Sequence, residues 1–212
     1  MRARGTPGGK TLGIHRSEYA ALIEWANAAG KRVNFSHIEQ FQHVAEGAEH
    51  VVYHDLIRGL AIKATHINRF GHSTDGERRS ATPLEYLRRL GWHNILFGDD
   101  IRIEGIAYED AQLEVITSQP WIVADLLRPL PTQEEIDAYF EQRHFKKAII
   151  NPDAPLYFNA DINIVIADAH NRNILREEHE GKLYPIDVVI GRPGSKLHRA
   201  LCEITETGGK TV

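Results

Sequence analysis

Cysteine is almost missing from this chain of 212 residues, because Cys202 is the only one. A single cysteine excludes an intrachain disulfide framework and a metal centre built from several thiolates. Long apolar runs are missing too. No window approaches the length of a membrane span, and the basic N-terminal stretch MRARGTPGGKTLG lacks the apolar region of a signal peptide. We therefore expect a cytoplasmic protein with no membrane partner.

An excess of positive charge is missing as well. The formal net charge is −4, so the composition predicts no nucleic acid as a partner. What is present is the composition of an ordinary globular protein, with 42% hydrophobic and 25% charged residues. A chain of this length is expected to form one large domain or two closely packed lobes.

Turn residues and hydrophobic periodicity divide the first third of the chain. Residues 1–13, rich in Gly and Arg, are expected to form a loose arm. A helix is predicted over residues 17–29, with Ser17 as its N-cap and Gly30 as its stop. Residues 41–67 mix β-branched and aromatic residues with turn formers, which predicts two or three antiparallel strands.

The rest of the chain continues this alternation. Thr82 and Pro83 are typical of a helix start, and Gly91 predicts its end. Strands are predicted at IRIEGIAYE and AQLEVIT, and Thr132 begins a further capped helix in PTQEEIDAYFEQRHFKKAI. The order of the segments predicts an α+β fold, with a small sheet-rich part first and a mostly helical half after it.

The stretch from residue 163 to 194, NIVIADAHNRNILREEHEGKLYPIDVVIGRPG, places polar side chains between apolar runs. Asp168 follows one run, Asn173 comes five residues later, and Asp187 lies inside the next run. Oxygen-bearing side chains in one tight loop can hold a hydroxyl and a hard cation side by side. An ionised Asp187 in an apolar run also needs a facing cation or hydrogen-bond donors. Alternatively, Asp168 caps a turn and Asp187 meets a backbone amide.

The pattern IADAHNRNIL, followed after one hairpin by YPIDVVI, resembles the catalytic loop and metal-binding strand of the protein-kinase-like superfamily. The resemblance implies that Asp168 is catalytic and that Asn173 and Asp187 bind the metal. His170 is similar to the histidine of aminoglycoside and choline kinase-like members. It either contacts phosphate of the nucleotide or orients the loop.

Segments upstream resemble other parts of the superfamily in the same order. EGAEHVVY is similar to an eroded glycine-rich nucleotide loop, which keeps Gly47 and has Val52 in the position that covers adenine. LAIK resembles the strand that carries the phosphate-pairing lysine, which implies this role for Lys63. AQLEVITSQP lies where the hinge bonds adenine through its backbone, which implies that Thr117 and Ser118 make these contacts.

The segment TPLEYLRRL falls where the superfamily has its regulatory helix. The resemblance implies that Glu85 on this helix positions Lys63, with Glu77 as the nearest competitor. Thr82 and Glu85 also match a capping box, in which the Glu side chain bonds back to the start of its own helix. Both interpretations of Glu85 are therefore open.

The chain also departs from the superfamily pattern. Ile166 and Ala167 replace the His-Arg or His-Gly before the catalytic Asp, and Val188 and Val189 replace the Phe-Gly after the metal-binding Asp. The residues after Asp187 are too few for an activation segment and a large helical subdomain. The chain is thus similar to the compact kinase-like domain of phage-type polyvalent proteins.

This resemblance implies a two-lobed fold. Residues 1–35 would form an N-terminal arm and helix, residues 36–119 a small antiparallel-sheet N-lobe with one helix, and residues 120–212 a shortened, mostly helical C-lobe. The implied activity is phosphoryl transfer from ATP, with magnesium, to a hydroxyl of a protein or small molecule. A protein partner could complete the reduced C-lobe.

Two other classes of function are open. One is a pseudokinase that binds nucleotide as a scaffold or interaction module. The other is a regulatory or toxin-associated protein that is not a kinase, in which DAHNRN is only a surface loop.

Overall fold

The structure, a computed structural model, describes residues 9–75, 79–128, 130–151 and 154–206. It divides into two compact units. Unit 1 comprises residues 1–71, 80–87 and 100–120, and unit 2 comprises residues 72–79, 88–99 and 121–212. The final boundary between the units, after residue 120, lies one residue from the predicted boundary between residues 119 and 120. The two short segments at 72–79 and 88–99 belong to unit 2, although the sequence predicts them to be part of the N-lobe.

Unit 1 is built on an extended sheet. Its elements are α1 (Gly9–Ala28), β1 (Arg32–Val33), a 3-10 helix (Phe35–Gln40), β2 (Gln42–Glu46), β3 (His50–Asp55), β4 (Leu60–Thr65), the start of α2 (Pro83–Phe97), β5 (Arg102–Glu109) and β6 (Gln112–Pro120). The six strands follow the order β1-β5-β6-β4-β3-β2. All neighbours are antiparallel except β1 and β5, which are parallel. The strands predicted in residues 41–67 and at IRIEGIAYE and AQLEVIT are confirmed.

One face of this sheet is covered by apolar side chains. Ile62, Ala64 and Ile116 form a buried cluster there, and Phe41 and Tyr53 pack against it. Successive side chains of a strand point to opposite faces of the sheet. Ile62 and Ala64 of β4 point toward the apolar cluster, so Lys63 between them points to the other face.

Helix α1 begins earlier than predicted. It starts at Gly9, so Ser17 lies inside the helix and the prediction of a loose arm is wrong for residues 9–13. Residues 1–8 lie outside the described part of the chain. The end of α1 is confirmed, because the helix stops at Ala28 and Gly30 adopts a left-handed φ of 65°.

Helix α2 ends later than predicted, because it continues through Gly91 to Phe97. An interior glycine costs a helix only about 1 kcal/mol relative to alanine. Packing offsets this cost, since Trp92, Leu96 and Phe97 pack against the core of unit 2. The helix ends where Gly98 adopts a left-handed φ of 66°.

Unit 2 is not mostly helical, and the prediction of a helical C-lobe is wrong. Besides the second part of α2, its elements are α3 (Gln133–Glu141), β7 (Lys146–Ala148), β8 (Leu156–Asn159), β9 (Ile164–Ala167), β10 (Ile174–Arg176), β11 (Leu183–Pro185), β12 (Val189–Gly191) and α4 (Ser195–Glu206). An antiparallel sheet has the order β12-β9-β8-β7, and β10 and β11 form the predicted hairpin.

Local signals account for the start of α3. The predicted N-cap Thr132 is confirmed, and it forms a capping box with Glu135. The helix is shorter than its segment, because His144 adopts a left-handed φ of 64° and the following KKA forms β7.

The main core of unit 2 lies between α3, the second part of α2 and one face of the sheet, whereas α4 packs on a separate cluster with Ala148, Phe158 and Val165. Ile136 and Phe140 of α3 pack in the main core with Tyr157, Ile164 and Ile166. Among the described residues, no helix combines the length and the apolar character needed to cross a membrane.

Candidate functional site

Three predicted nucleotide-binding residues form a row across the sheet of unit 1. Val52 of β3 pairs with Lys63 of β4, and Lys63 pairs with Thr117 of β6. Directly paired residues on neighbouring strands project from the same face, so the three side chains are adjacent. Lys63 is buried, with 9% of its surface exposed, and the Thr117 hydroxyl donates to the Lys63 carbonyl oxygen at 3.4 Å.

The eroded glycine loop is a tight hairpin turn between β2 and β3. The Gly47 amide donates to the carbonyl oxygen of His50 at 2.8 Å. The ring of His66 contacts the Gly47 carbonyl oxygen at 2.9 Å, and the His66 amide donates to the Glu49 carbonyl oxygen at 2.9 Å. These contacts fix the turn to the end of β4. The turn is also shorter than a glycine-rich loop that wraps around phosphates.

Thr117 and Ser118 lie inside the sheet and not in a connecting segment. Strand β6 is bordered by β4 and β5, and each of the two residues pairs with both neighbours. The Ser118 hydroxyl also donates to Glu104 at 2.6 Å. Pairing with β5 ends at Ser118, whereas pairing with β4 continues to Pro120. Adenine binding by Thr117 and Ser118 stays a prediction.

Glu85 takes part in the capping box that the sequence also predicted. Its carboxylate accepts from the Thr82 amide at 2.8 Å, and the Glu85 amide donates to the Thr82 hydroxyl at 3.3 Å. This pair of bonds starts α2. The competitor Glu77 lies outside the described residues. A role of Glu85 in positioning Lys63 stays a prediction.

The predicted catalytic loop is a compact polar turn after β9. Asp168 leaves the strand with a left-handed φ of 57°, and its carboxylate is largely exposed. The side-chain amide of Asn173 donates to the Asp168 carbonyl oxygen at 2.9 Å and to its carboxylate at 3.0 Å. Asp168 and Asn173 therefore meet across the loop, as their five-residue spacing predicts.

His170 makes contacts within the same loop. The Arg172 amide donates to its Nδ1 at 3.2 Å, so the neutral ring carries its proton on Nε2. That atom lies 3.4 Å from the carboxylate of Asp168. These contacts correspond to the loop-orienting interpretation of His170; phosphate binding by this residue stays a prediction.

Asp187 lies beside Asn173 through the backbone. The Asn173 carbonyl oxygen accepts from the amides of Ile186 at 2.8 Å and Asp187 at 3.4 Å. The side-chain amide nitrogen of Asn173 already bonds to Asp168, which leaves its oxygen as the group for a cation. A carboxylate and an amide oxygen on adjacent backbone suit magnesium, which keeps several water ligands and needs few from the protein. The residues present fit such an ion.

Residues 15–191 match the family model described as the serine/threonine/tyrosine kinase found in polyvalent proteins. The chain belongs to this family. No curated protein and no solved structure matches it. The resemblance to the kinase-like domain of polyvalent proteins is thus confirmed.

Sequence reasoning missed one charged residue of this polyvalent-protein kinase domain. Arg89 of α2 is buried in unit 2, and burial lowers the pKa of its guanidinium to about 10, while the charges of Asp187 and Asp168 act in the opposite direction. The group therefore stays protonated at neutral pH. The apolar run around Asp187 predicted a facing cation or hydrogen-bond donors, and Arg89 is a candidate for the cation.

A signal for Arg89 is present in the sequence. Tyr86, Arg89 and His93 occupy positions i, i+3 and i+7 of α2, and all three are buried. An arginine on the stripe of a helix that faces the core needs a partner, because an unpaired buried charge is costly.

Proposed function

We propose that this chain is an ATP- and magnesium-dependent phosphotransferase that transfers the γ-phosphoryl group to a hydroxyl of a protein or small molecule. The observation that carries the proposal is the network around Asn173. Its side chain bonds to Asp168, and its carbonyl oxygen accepts from the Asp187 amide. The three residues of the D-x-x-x-x-N and second-Asp pattern are thus neighbours in unit 2, and family membership supports kinase-like chemistry.

The proposed roles follow from the chemistry of each group. Asp168 accepts or orients the proton of the acceptor hydroxyl, and its exposed carboxylate is accessible for this task. Asn173 and Asp187 hold magnesium, which when bound offsets charge on the transferred phosphoryl group. His170 keeps the loop in place. Phosphoryl transfer depends mostly on positioning and charge stabilisation, so a few fixed groups suffice.

The nucleotide is assigned to the row on unit 1. Lys63 engages the phosphates, the Gly47 turn covers them, and Val52 packs on adenine. Pairing of β6 with β5 ends at Ser118, so we assign the adenine contacts to the backbone at and beyond Gln119. Glu85 supports Lys63 only if its carboxylate bonds to the lysine in addition to the Thr82 amide.

The test is a thermal-shift titration with ATP, with and without magnesium, followed by an assay with radiolabelled ATP and the chain itself as first acceptor. Ligand at 100 times its dissociation constant should stabilise the protein by about 2.7 kcal/mol. Magnesium should increase the shift, and label should appear on an acceptor. A chain that no nucleotide stabilises would contradict the proposal.

A second candidate is a pseudokinase that binds nucleotide without transfer. The observation that favours it is Arg89, whose buried positive charge acts on Asp187 and Asp168 where a kinase needs a metal ion. An internal cation of this kind would make nucleotide binding independent of magnesium. Equal thermal shifts with and without magnesium, together with no labelled acceptor, would select this candidate.

A further inference from the structure

Exposed apolar side chains lie close together in the segment of unit 2 between β6 and α3. Leu126 and Leu127 are 88% and 92% exposed, and Val123 and Leu130 are each about half exposed. A single exposed apolar residue is ordinary on a protein surface, whereas a group of them indicates an interaction surface. We call these four residues the apolar patch.

The segment that carries Leu126 and Leu127 is a hydrogen-bonded turn. The carboxylate of Asp125 accepts from the Leu127 amide at 2.8 Å and from the Arg128 amide at 3.1 Å. The turn is joined to β10, because the Asp125 amide donates to the carbonyl oxygen of the buried Arg176 at 2.8 Å. A fixed backbone therefore presents the two leucines to solvent, so a partner that binds them does not have to order this segment.

The turn between β10 and β11 lies directly beside the apolar patch. The Glu178 amide donates to the Val123 carbonyl oxygen at 3.1 Å, and Ala124 forms an antiparallel bridge with Glu177. The charged side chains of the two turns are the carboxylates of Asp125, Glu177, Glu178 and Glu180 and the cations of Arg128 and Lys182. Negative charge thus exceeds positive charge next to the apolar patch.

The carboxylates that shape the two turns are ionised at neutral pH. Hydrogen bonds from the backbone amides of Glu180 and His179 hold the pKa of Glu177 below its usual value. The amide of Leu127 lowers the pKa of Asp125 in the same way. The negative charge beside the apolar patch is therefore present under ordinary conditions.

The other two carboxylates have only exposed partners from their own turn. Glu178 lies 3.2 Å from the His179 ring, and Glu180 lies 3.3 Å from the Lys182 ammonium group. Exposed pairs of this kind contribute little to stability. Glu178 and Glu180 can therefore exchange these partners for cations of a bound protein at small cost.

A second copy of this chain is a poor occupant of the apolar patch. In a twofold dimer the same surface lies on both sides of the interface, so the acidic turns of the two copies would meet. Like charges brought together across an interface oppose binding. The charge beside the patch therefore favours a different protein, with basic residues around its apolar side chains.

We propose that the apolar patch and the acidic turn beside it dock a basic amphipathic segment of another protein. Its apolar side chains cover Leu126 and Leu127, and its lysine or arginine residues pair with Glu178 and Glu180. This is the helix-on-apolar-surface mode of recognition, with charge selecting the partner. The docking requires no phosphoryl transfer, so it stands or falls independently of the function proposed above.

The test uses the full chain and a fluorescein-labelled helical peptide made of leucine on one face and lysine on the other. The matched peptide has glutamate in place of lysine. Fluorescence anisotropy at low salt measures the two dissociation constants, and we expect the lysine peptide to bind at least about tenfold more tightly. Its affinity should fall as salt is added, because the paired charges are exposed.

The combined variant Leu126→Ser and Leu127→Ser tests the apolar anchors. It should raise the dissociation constant of the lysine peptide by about tenfold or more, because the buried apolar contacts are lost. Ile95→Ser is the matched control, since Ile95 is an apolar residue of α2 in unit 2 that is 72% exposed. Thermal melting verifies that each variant is folded.

The combined variant Glu178→Gln and Glu180→Gln tests the charges. It should weaken binding of the lysine peptide and reduce the dependence of that binding on salt. Its matched control is the pair Glu141→Gln and Glu206→Gln, which removes two exposed carboxylates from α3 and α4. The control should bind the peptide like the wild type.

Three results would overturn the proposal. Equal affinity for the lysine and glutamate peptides would mean that charge does not select the partner. Binding by the double leucine variant as tight as by Ile95→Ser would mean that Leu126 and Leu127 are not the anchors. A wild type that sediments as a dimer, with the double leucine variant monomeric, would assign the apolar patch to a second copy of the chain.

Discussion

Asn173 holds Asp168 by two hydrogen bonds from one amide group, at 2.9 Å to the carbonyl oxygen and 3.0 Å to the carboxylate. The first bond fixes the left-handed backbone of Asp168, and the second fixes its side chain. The orientation of the predicted catalytic carboxylate therefore depends on the residue predicted to bind metal. Substitutions at either position must be designed so that these bonds persist.

Asp168→Asn is expected to lower phosphoryl transfer without unfolding the loop. The asparagine keeps an oxygen that accepts from Asn173, but it cannot accept a proton from the acceptor hydroxyl. We expect transfer to fall by about 10²- to 10⁴-fold, with ATP and magnesium binding preserved. Two assays check this: transfer of radiolabel measures catalysis, and the thermal shift with nucleotide measures binding.

Asp161→Asn, at an exposed turn before β9, is the control for Asp168→Asn. Equal transfer by Asp168→Asn and wild type would exclude Asp168 as the acceptor of the proton.

Lys63→Met is expected to weaken ATP binding while the fold is kept. Lys63 is buried, so alanine would also leave a cavity, whereas methionine fills a similar volume. Loss of a charged bond to phosphate should raise the dissociation constant of ATP by about tenfold or more. Isothermal titration measures this constant. The control Lys182→Met changes an exposed lysine in unit 2 and should bind ATP like the wild type. Unchanged ATP affinity in Lys63→Met would place the phosphates elsewhere.

Glu114→Gln is expected to stabilise the protein at alkaline but not at acidic pH. Burial raises the pKa of Glu114 on β6 from 4.5 to about 7, and the charge of His66 opposes this shift. The folded state thus binds the proton more tightly than the unfolded state. Ionising Glu114 therefore lowers the free energy of unfolding. This loss is absent below about pH 4.5, grows between about pH 4.5 and pH 7, and reaches its full size of roughly 1 to 3 kcal/mol above about pH 7.

Urea unfolding at about pH 8 and about pH 4 measures the effect of Glu114→Gln. The variant should gain stability at the higher pH and match the wild type at the lower one, where Glu114 is neutral. Glu109→Gln, on the exposed end of β5, is the control and should show no such difference. A gain of the same size at both pH values would mean that the charge of Glu114 is not its cause.

The sequence predicts the elements whose signals are local. Strands β2 to β6 follow from alternating residues and turn formers, and α3 follows from its capping box. The prediction that Gly91 ends α2 is wrong, because a glycine ends a helix where the backbone takes a left-handed conformation. In α2 this occurs at Gly98. The sheet of unit 2 is missed because its strands are short apolar runs, and such runs do not distinguish strand from helix.

The candidate site is predictable where a motif is contiguous and not where its partners are distant in the chain. Asp168, Asn173 and Asp187 fall within one stretch, and their contacts follow from its turns. The charge of Arg89 acts on this loop from helix α2, which lies far earlier in the chain. Only tertiary packing creates such pairs, so no local spacing indicates them.

Arg89→Met is expected to destabilise unit 2 in a way that magnesium partly reverses. The substitution keeps the buried volume but removes the positive charge that acts on Asp187 and Asp168. These carboxylates then lose a cation that favours their ionised forms, so we expect the urea midpoint of the variant to fall. If Asn173 and Asp187 bind magnesium, the ion replaces the missing charge, so it should stabilise Arg89→Met more than the wild type.

Urea unfolding with a chelator and with magnesium measures both effects of Arg89→Met. Arg88→Met, at the exposed neighbouring position, is the matched control. If Arg89→Met unfolds like Arg88→Met and gains nothing extra from magnesium, Arg89 is not the counter-ion of this loop.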